Sequence, residues 1–115
     1  MQTVRGRIAA DRIGFTLPHE HIFIELWHIE GRHDYLGQSD DPELLAQELG
    51  GFADAGGSCV VDLTLAGIGR RPAALRALSA RTGLHIVAGT GWYRSRTTRR
   101  RPRSTGEVSR LSLRR

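Results

Sequence analysis

Apolar residues in the first 93 positions follow two alternating patterns, short continuous runs and runs with helical spacing. The nearly continuous runs at 58–65 and 85–90 are rich in β-branched residues and predict strands covered on both faces. Before each of them, apolar residues recur every three or four positions, which predicts an amphipathic helix. The resulting order of strand, helix, strand, helix and strand predicts right-handed crossovers and a parallel sheet. Doubly wound sheets and (β/α)8 barrels both begin this way, and periodicity alone does not distinguish them.

Turn and capping residues set the predicted ends of these elements. Asp41 is the predicted N-cap of the first helix, Pro42 suits its first position, and the glycine pair at 56–57 ends it. The second helix is predicted to begin at Pro72 and to stop at Gly83. Nearer the amino end, 3–8 and 14–17 are predicted to be strands of an opening hairpin.

Charge divides the chain near residue 93. Residues 1–93 carry eight arginines against eleven acidic residues, a net charge of −3, whereas 94–115 carry nine arginines against one acid, a net charge of +8. This break predicts two regions: a body at 1–93 and a basic low-complexity tail at 94–115, either disordered or frameshifted. The tail's Arg, Ser and Pro content resembles an out-of-frame translation of GC-rich DNA. All 17 basic residues are arginine, so the chain has no lysine.

Composition narrows the class of protein. An apolar fraction of 39% and a charged fraction of 25% fit a globular domain, and no run reaches the roughly 20 apolar residues of a membrane-spanning helix. The first residues lack the apolar core of a secretory signal. Cys59 is a lone cysteine in an apolar run and is predicted to be a small buried hydrophobe. We therefore expect a cytoplasmic protein without a membrane partner.

The sharpest chemical feature is the pair His19 and His21. Residues i and i+2 of a strand point to the same face, so two imidazoles about 7 Å apart along the backbone can converge on one cation. Neutral imidazole suits zinc and similar metals, but a catalytic zinc usually takes about three protein ligands. A bare His-x-His is more often incidental, and its place near the end of a predicted first strand favours the metal interpretation.

Three separated blocks resemble the phosphotriesterase family within the wider amidohydrolase group. The segment 14–22, which contains Leu-Pro-His-Glu-His-Ile, is similar to the family's first strand. Residues 60–64 are similar to its second strand, and 83–93 to its third strand and the aromatic loop that follows. The resemblance spans 3–93. It implies an α/β fold, the N-terminal portion of a (β/α)8 TIM barrel, with about three strands and two helices.

The resemblance also implies an activity. Members hydrolyse organophosphate esters, or lactones and other esters, with a hydroxide that bridges two divalent metals, most often zinc, beside a carboxylated lysine. His19 and His21 correspond to the first two ligands, and Trp92 and Tyr93 to the loop that lines the substrate pocket. The expected partner is thus a small ester, lactone or organophosphate, and full-length relatives are expected to be homodimers. Because the chain has no lysine and a barrel takes about 250 residues, we expect it to be inactive alone.

Other candidates have competing interpretations. His28 and His33 are predicted to be loop residues, and His85 a packed or edge residue of its strand. Asp62 would be costly to bury unpaired, so it either orients a metal ligand or makes a structural hydrogen bond. The alternative function is nucleic-acid binding through the arginine-rich tail, which would neutralise phosphates. We expect the tail not to serve this purpose.

Overall fold

The computed structural model describes residues 1–26 and 40–93, so the predicted loop residues His28 and His33 and the tail at 94–115 lie outside these ranges. In chain order the elements are β1 (Gln2–Thr3), β2 (Gly6–Arg7), β3 (Phe15–Glu20), α1 (Pro42–Asp54), β4 (Gly57–Asp62), α2 (Pro72–Thr82) and β5 (His85–Ala88). Three parallel strands form a sheet with the order β3-β4-β5, and an antiparallel pair, β1 and β2, precedes them. The α/β class, with three parallel strands and two helices, is therefore confirmed.

The predicted opening hairpin was wrong in its pairing. The first two strands pair within residues 2–7, closed by a turn in which the Thr3 hydroxyl donates to the Gly6 carbonyl at 2.7 Å. A short 3-10 turn at Ala10–Arg12 follows. The next strand then joins the parallel sheet instead of turning back, because its backbone pairs with β4, about forty residues later. The β1–β2 pair docks against β5, the outer strand opposite β3, where the Val4 N–H donates to the Ile86 carbonyl at 2.8 Å.

Both helices begin at the predicted prolines; α2 ends beside Gly83 as predicted, whereas α1 ends at Asp54, shortly before the predicted glycine pair. The Asp41 carboxylate accepts a hydrogen bond from the Glu43 N–H at 2.9 Å, and Pro42 occupies the first helical position. The second helix ends at Gly83, whose φ of 75° is the left-handed conformation that glycine adopts without strain. Local chemistry alone thus places these helix ends.

The core lies between the sheet and the two helices. Val60 on the central strand β4 and Ile86 on β5 are buried, as are Leu75 and Leu78 on the predicted inner face of α2. Gly57 at the start of β4 lies so close to α1 that a Cβ there would collide with the Phe52 ring. The buried cluster comprises Ile22, Phe23, Ala46, Val60, Leu75, Leu78, Leu84 and Ile86. Among the described residues, no helix has the length and apolar character needed to cross a membrane.

The carboxyl ends of the three parallel strands meet in one row. Glu20 of β3 lies opposite Asp62 of β4, which lies opposite Ala88 of β5. Backbone hydrogen bonds continue the row, from Leu63 N–H to the Glu20 carbonyl and from Gly89 N–H to the Asp62 carbonyl, both at 2.8 Å. Side chains that follow each strand therefore gather at this end of the strands, which we call the carboxyl edge and where ligands of open and closed α/β sheets bind.

Candidate metal-binding edge

His19 and His21 lie at this carboxyl edge. His19 is the penultimate residue of β3, and His21 comes directly after the strand's last residue, so the strand is shorter than a continuous run through both histidines. Both side chains are exposed. Their rings meet edge to face, with centroids 5.5 Å apart and planes inclined by 70°. The structure brings the two imidazoles together on one accessible surface.

The pair fits a divalent metal in chemistry and in spacing. Two imidazoles on one tetrahedral zinc, with Zn–N bonds of about 2.0–2.1 Å, have ring centres about 5 Å apart, close to the separation observed here. No group of three or more His, Cys, Asp or Glu side chains within 1–26 and 40–93 is placed to hold a metal ion. The described residues therefore offer two candidate ligands, and a complete site needs more.

Asp62 ties the ends of β3 and β4 together. One carboxyl oxygen accepts the Ile22 N–H at 2.9 Å and the other accepts the Thr64 N–H at 2.8 Å. The side chain is only 1% exposed. Of the two interpretations offered by the sequence, the structural hydrogen bond is observed directly, and it holds the backbone immediately after His21.

Thr64 is the residue of this edge that the sequence patterns did not single out. Its hydroxyl oxygen lies 3.1 Å from Nδ1 of His21, and the side chain is buried. The contact joins residues 43 positions apart. The available signal was a polar residue two positions after Asp62, in an otherwise apolar run.

A second set of contacts holds the chain beyond His21. The Glu25 N–H donates to the Ile68 carbonyl at 2.9 Å, and the Glu25 carboxylate pairs with Arg71 at 2.5 Å. The Arg71 guanidinium also stacks 5.3 Å from the centre of the Phe23 ring. These contacts fasten the segment after β3 to the segment between β4 and α2.

Trp92 and Tyr93 lie beyond the carboxyl ends of the strands, as the histidine pair does. Trp92 forms a parallel bridge with Ala66 beyond the ends of β4 and β5, and the Tyr93 N–H donates to the Ala66 carbonyl at 3.2 Å. Trp92 is 77% exposed, whereas Tyr93 is half-buried. Their contact with a substrate stays a prediction.

The remaining candidates separate clearly. Cys59 is buried, as predicted, and burial raises the pKa of its thiol, an effect that a hydrogen bond with Thr16 partly offsets. His85 is half-buried and begins β5, so it lies at the amino ends of the parallel strands, opposite the end that carries the histidine pair. His28 and His33 lie outside the described residues.

Known proteins are similar to this chain in sequence. A family model described as the phosphotriesterase family matches residues 1–111. An N-acetyltaurine hydrolase from Danio rerio is 31% identical over 81% of this chain and 35% of its own length. A phosphotriesterase homology protein from Mycobacterium tuberculosis is 34% identical over 81% of this chain and 29% of its own.

Solved structures share the fold. A lactonase from Listeria monocytogenes matches with a TM-score of 0.73 and 30% identity, over 91% of this chain and 32% of that structure. An organophosphorus hydrolase from Deinococcus radiodurans matches with a TM-score of 0.68 and 34% identity, over 97% of this chain and 33% of that structure. The chain thus spans about a third of the length of these relatives. With matching sequence blocks, matching topology and a family match over nearly all of its residues, the chain belongs to the phosphotriesterase family.

Proposed function

We propose that this chain supplies the first two metal ligands, His19 and His21, of a zinc-dependent hydrolase. The complete enzyme would cleave a phosphotriester, lactone or other ester bond. The observation that carries the proposal is the exposed imidazole pair, with ring centres 5.5 Å apart, at the carboxyl end of the first parallel strand. Its support is the family, whose similar proteins include a lactonase, an organophosphorus hydrolase and an N-acetyltaurine hydrolase. Hydrolysis is the reaction that these names share.

The residues of the edge have separate tasks in this proposal. A bound divalent metal would lower the pKa of a coordinated water and polarise the oxygen of the scissile group. His19 and His21 would hold that metal, and Asp62 would fix the backbone beside them. Trp92, exposed at the same edge, would contact an apolar part of a small substrate.

Residues 1–26 and 40–93 provide only part of such a site. The chain has no lysine to carry a bridging carboxylate, and its described residues contribute only two histidines to the edge. We expect zinc binding without turnover. The nucleic-acid alternative depends on residues 94–115, outside the described ranges, and the body at 1–93 carries a net charge of −3, which does not favour contact with phosphates.

The proposal is tested by zinc titration of the 115-residue chain and matched histidine variants. Zinc affinity should fall in His19→Ala and in His21→Ala. It should be unchanged in His85→Gln, which alters a histidine at the amino ends of the parallel strands. Equal affinity in all four proteins would refute the assigned ligands.

Activity is measured separately, with paraoxon and a lactone in the presence of Zn²⁺ or Co²⁺. The expected result is hydrolysis no faster than the metal blank. Turnover above the blank that disappears in His19→Ala would contradict the expected inactivity, while supporting the ligand assignment.

A further inference from the structure

The two histidines of the edge differ in their hydrogen bonding. Nδ1 of His21 lies 3.1 Å from the hydroxyl oxygen of Thr64. Among residues 1–26 and 40–93, His19 makes a ring contact with His21 and has no hydrogen-bond partner of this kind. A hydrogen bond with the Thr64 hydroxyl can therefore fix the orientation of the His21 ring but not that of the His19 ring.

Burial and a hydrogen bond fix the position of Thr64 beside that ring. Its side chain is 3% exposed, and its N–H donates to one oxygen of Asp62. The other oxygen of Asp62 accepts the N–H of Ile22, the residue that follows His21. A single buried carboxyl group thus fixes both the backbone next to His21 and the residue that its ring contacts.

A neutral imidazole has one protonated nitrogen that donates and one bare nitrogen that accepts or binds a metal. Nδ1 of His21 faces the buried hydroxyl, whereas the side chain as a whole is exposed. Nε2 is therefore the nitrogen available to a metal at the surface. It has a free lone pair only when the proton is on Nδ1, and the hydrogen bond at one ring nitrogen sets the state of the other.

We infer that Thr64 is a positioning residue: its hydroxyl oxygen accepts the Nδ1–H of His21 and so presents Nε2 to the metal. This inference rests on the proposed function. It assigns to Thr64 the task that carboxylates and backbone carbonyls perform behind other metal-binding histidines. Loss of such a partner typically lowers metal affinity about 10- to 100-fold.

Two variants separate the hydroxyl from the rest of the side chain. Thr64→Val keeps the shape and removes the hydroxyl, and Thr64→Ser keeps the hydroxyl. The first readout is the ¹⁵N NMR spectrum of the metal-free chain at a pH of about 8.5, where histidine is neutral. We expect the Nδ1–H tautomer of His21 to be more populated in the wild type and in Thr64→Ser than in Thr64→Val. The His19 ring, without this contact, should be unaffected.

The second readout is zinc affinity. We expect Thr64→Val to bind zinc about 10- to 100-fold more weakly and Thr64→Ser to bind within a few-fold of the wild type. If His19→Ala weakens zinc binding but Thr64→Val does not, the inference about Thr64 fails and the metal ligands stand. If His19→Ala has no effect, the proposed function fails. In that case the tautomer measurement still decides whether Thr64 orients the ring, and an unchanged tautomer in Thr64→Val overturns the inference outright.

Discussion

Replacing Asp62 should cost more stability than replacing any exposed acid of the chain. Its two carboxyl oxygens accept the N–H groups of Ile22 and Thr64, and all of these atoms are buried. Asp62→Ala leaves both donors without an acceptor. A buried donor that loses its partner costs about 1–3 kcal/mol, so two such donors cost about 2–6 kcal/mol. This is a large share of the roughly 5–15 kcal/mol that stabilises a typical domain.

Asp62→Asn refines the prediction. The amide keeps one acceptor oxygen, but its NH2 group then faces a backbone N–H, so one donor is lost at about 1–3 kcal/mol. Urea unfolding followed by far-UV circular dichroism measures both losses. The order of stability should be wild type, then Asp62→Asn, then Asp62→Ala.

Asp54→Ala is the matched control, because Asp54 is an exposed acid at the carboxyl end of α1. It should change the free energy of unfolding by no more than about 0.5 kcal/mol. If Asp62→Ala destabilises the chain no more than this control, Asp62 does not hold the ends of β3 and β4 together.

Three further predictions concern the scaffold. Gly57→Ala should destabilise the chain by about 1–3 kcal/mol because a Cβ there collides with the Phe52 ring of α1. Gly50→Ala, with open space around its Cβ, should stabilise the chain by about 0.5–1 kcal/mol. Urea unfolding that ranks the two variants otherwise contradicts the packing described. Cys59 should resist a thiol reagent until the chain is unfolded, since it is buried and its pKa is raised; rapid labelling of the folded chain would show otherwise. A hydrogen bond from Arg81, together with its positive charge, lowers the pKa of Glu43 from its ordinary 4.5. This exposed pair therefore contributes a little stability at pH values above 4.5, and the contribution is lost as the pH falls through the lowered pKa. Glu43→Gln should remove that part of the acid dependence, and an unchanged pH profile of the thermal midpoint would count against the pair.

The parts of the fold that depend on near neighbours in the chain were predictable from the sequence. The cap at Asp41, the proline starts and the left-handed Gly83 each act within a few residues. Continuous apolar runs likewise predicted β4 and β5. The opening hairpin was mispredicted because the backbone of Phe15–Glu20 pairs with β4, and short-range patterns carry no information about that distant partner.

The candidate site divides in the same way. Spacing and the family resemblance selected His19 and His21, and the structure brings their rings together. The contact of the Thr64 hydroxyl with His21 was not predictable because it depends on the register between β3 and β4, which the sequence does not specify. The dual role of Asp62 in that register was likewise visible only in three dimensions.

X-ray absorption spectroscopy of the zinc-loaded chain tests the central claim most directly. We predict a shell with two imidazole nitrogens at about 2.0–2.1 Å from the metal. One of these nitrogens should disappear in His19→Ala and one in His21→Ala, while His85→Gln should leave both. A zinc shell whose imidazole count is the same in the wild type and in the double variant His19→Ala, His21→Ala would contradict the claim that this pair binds the metal.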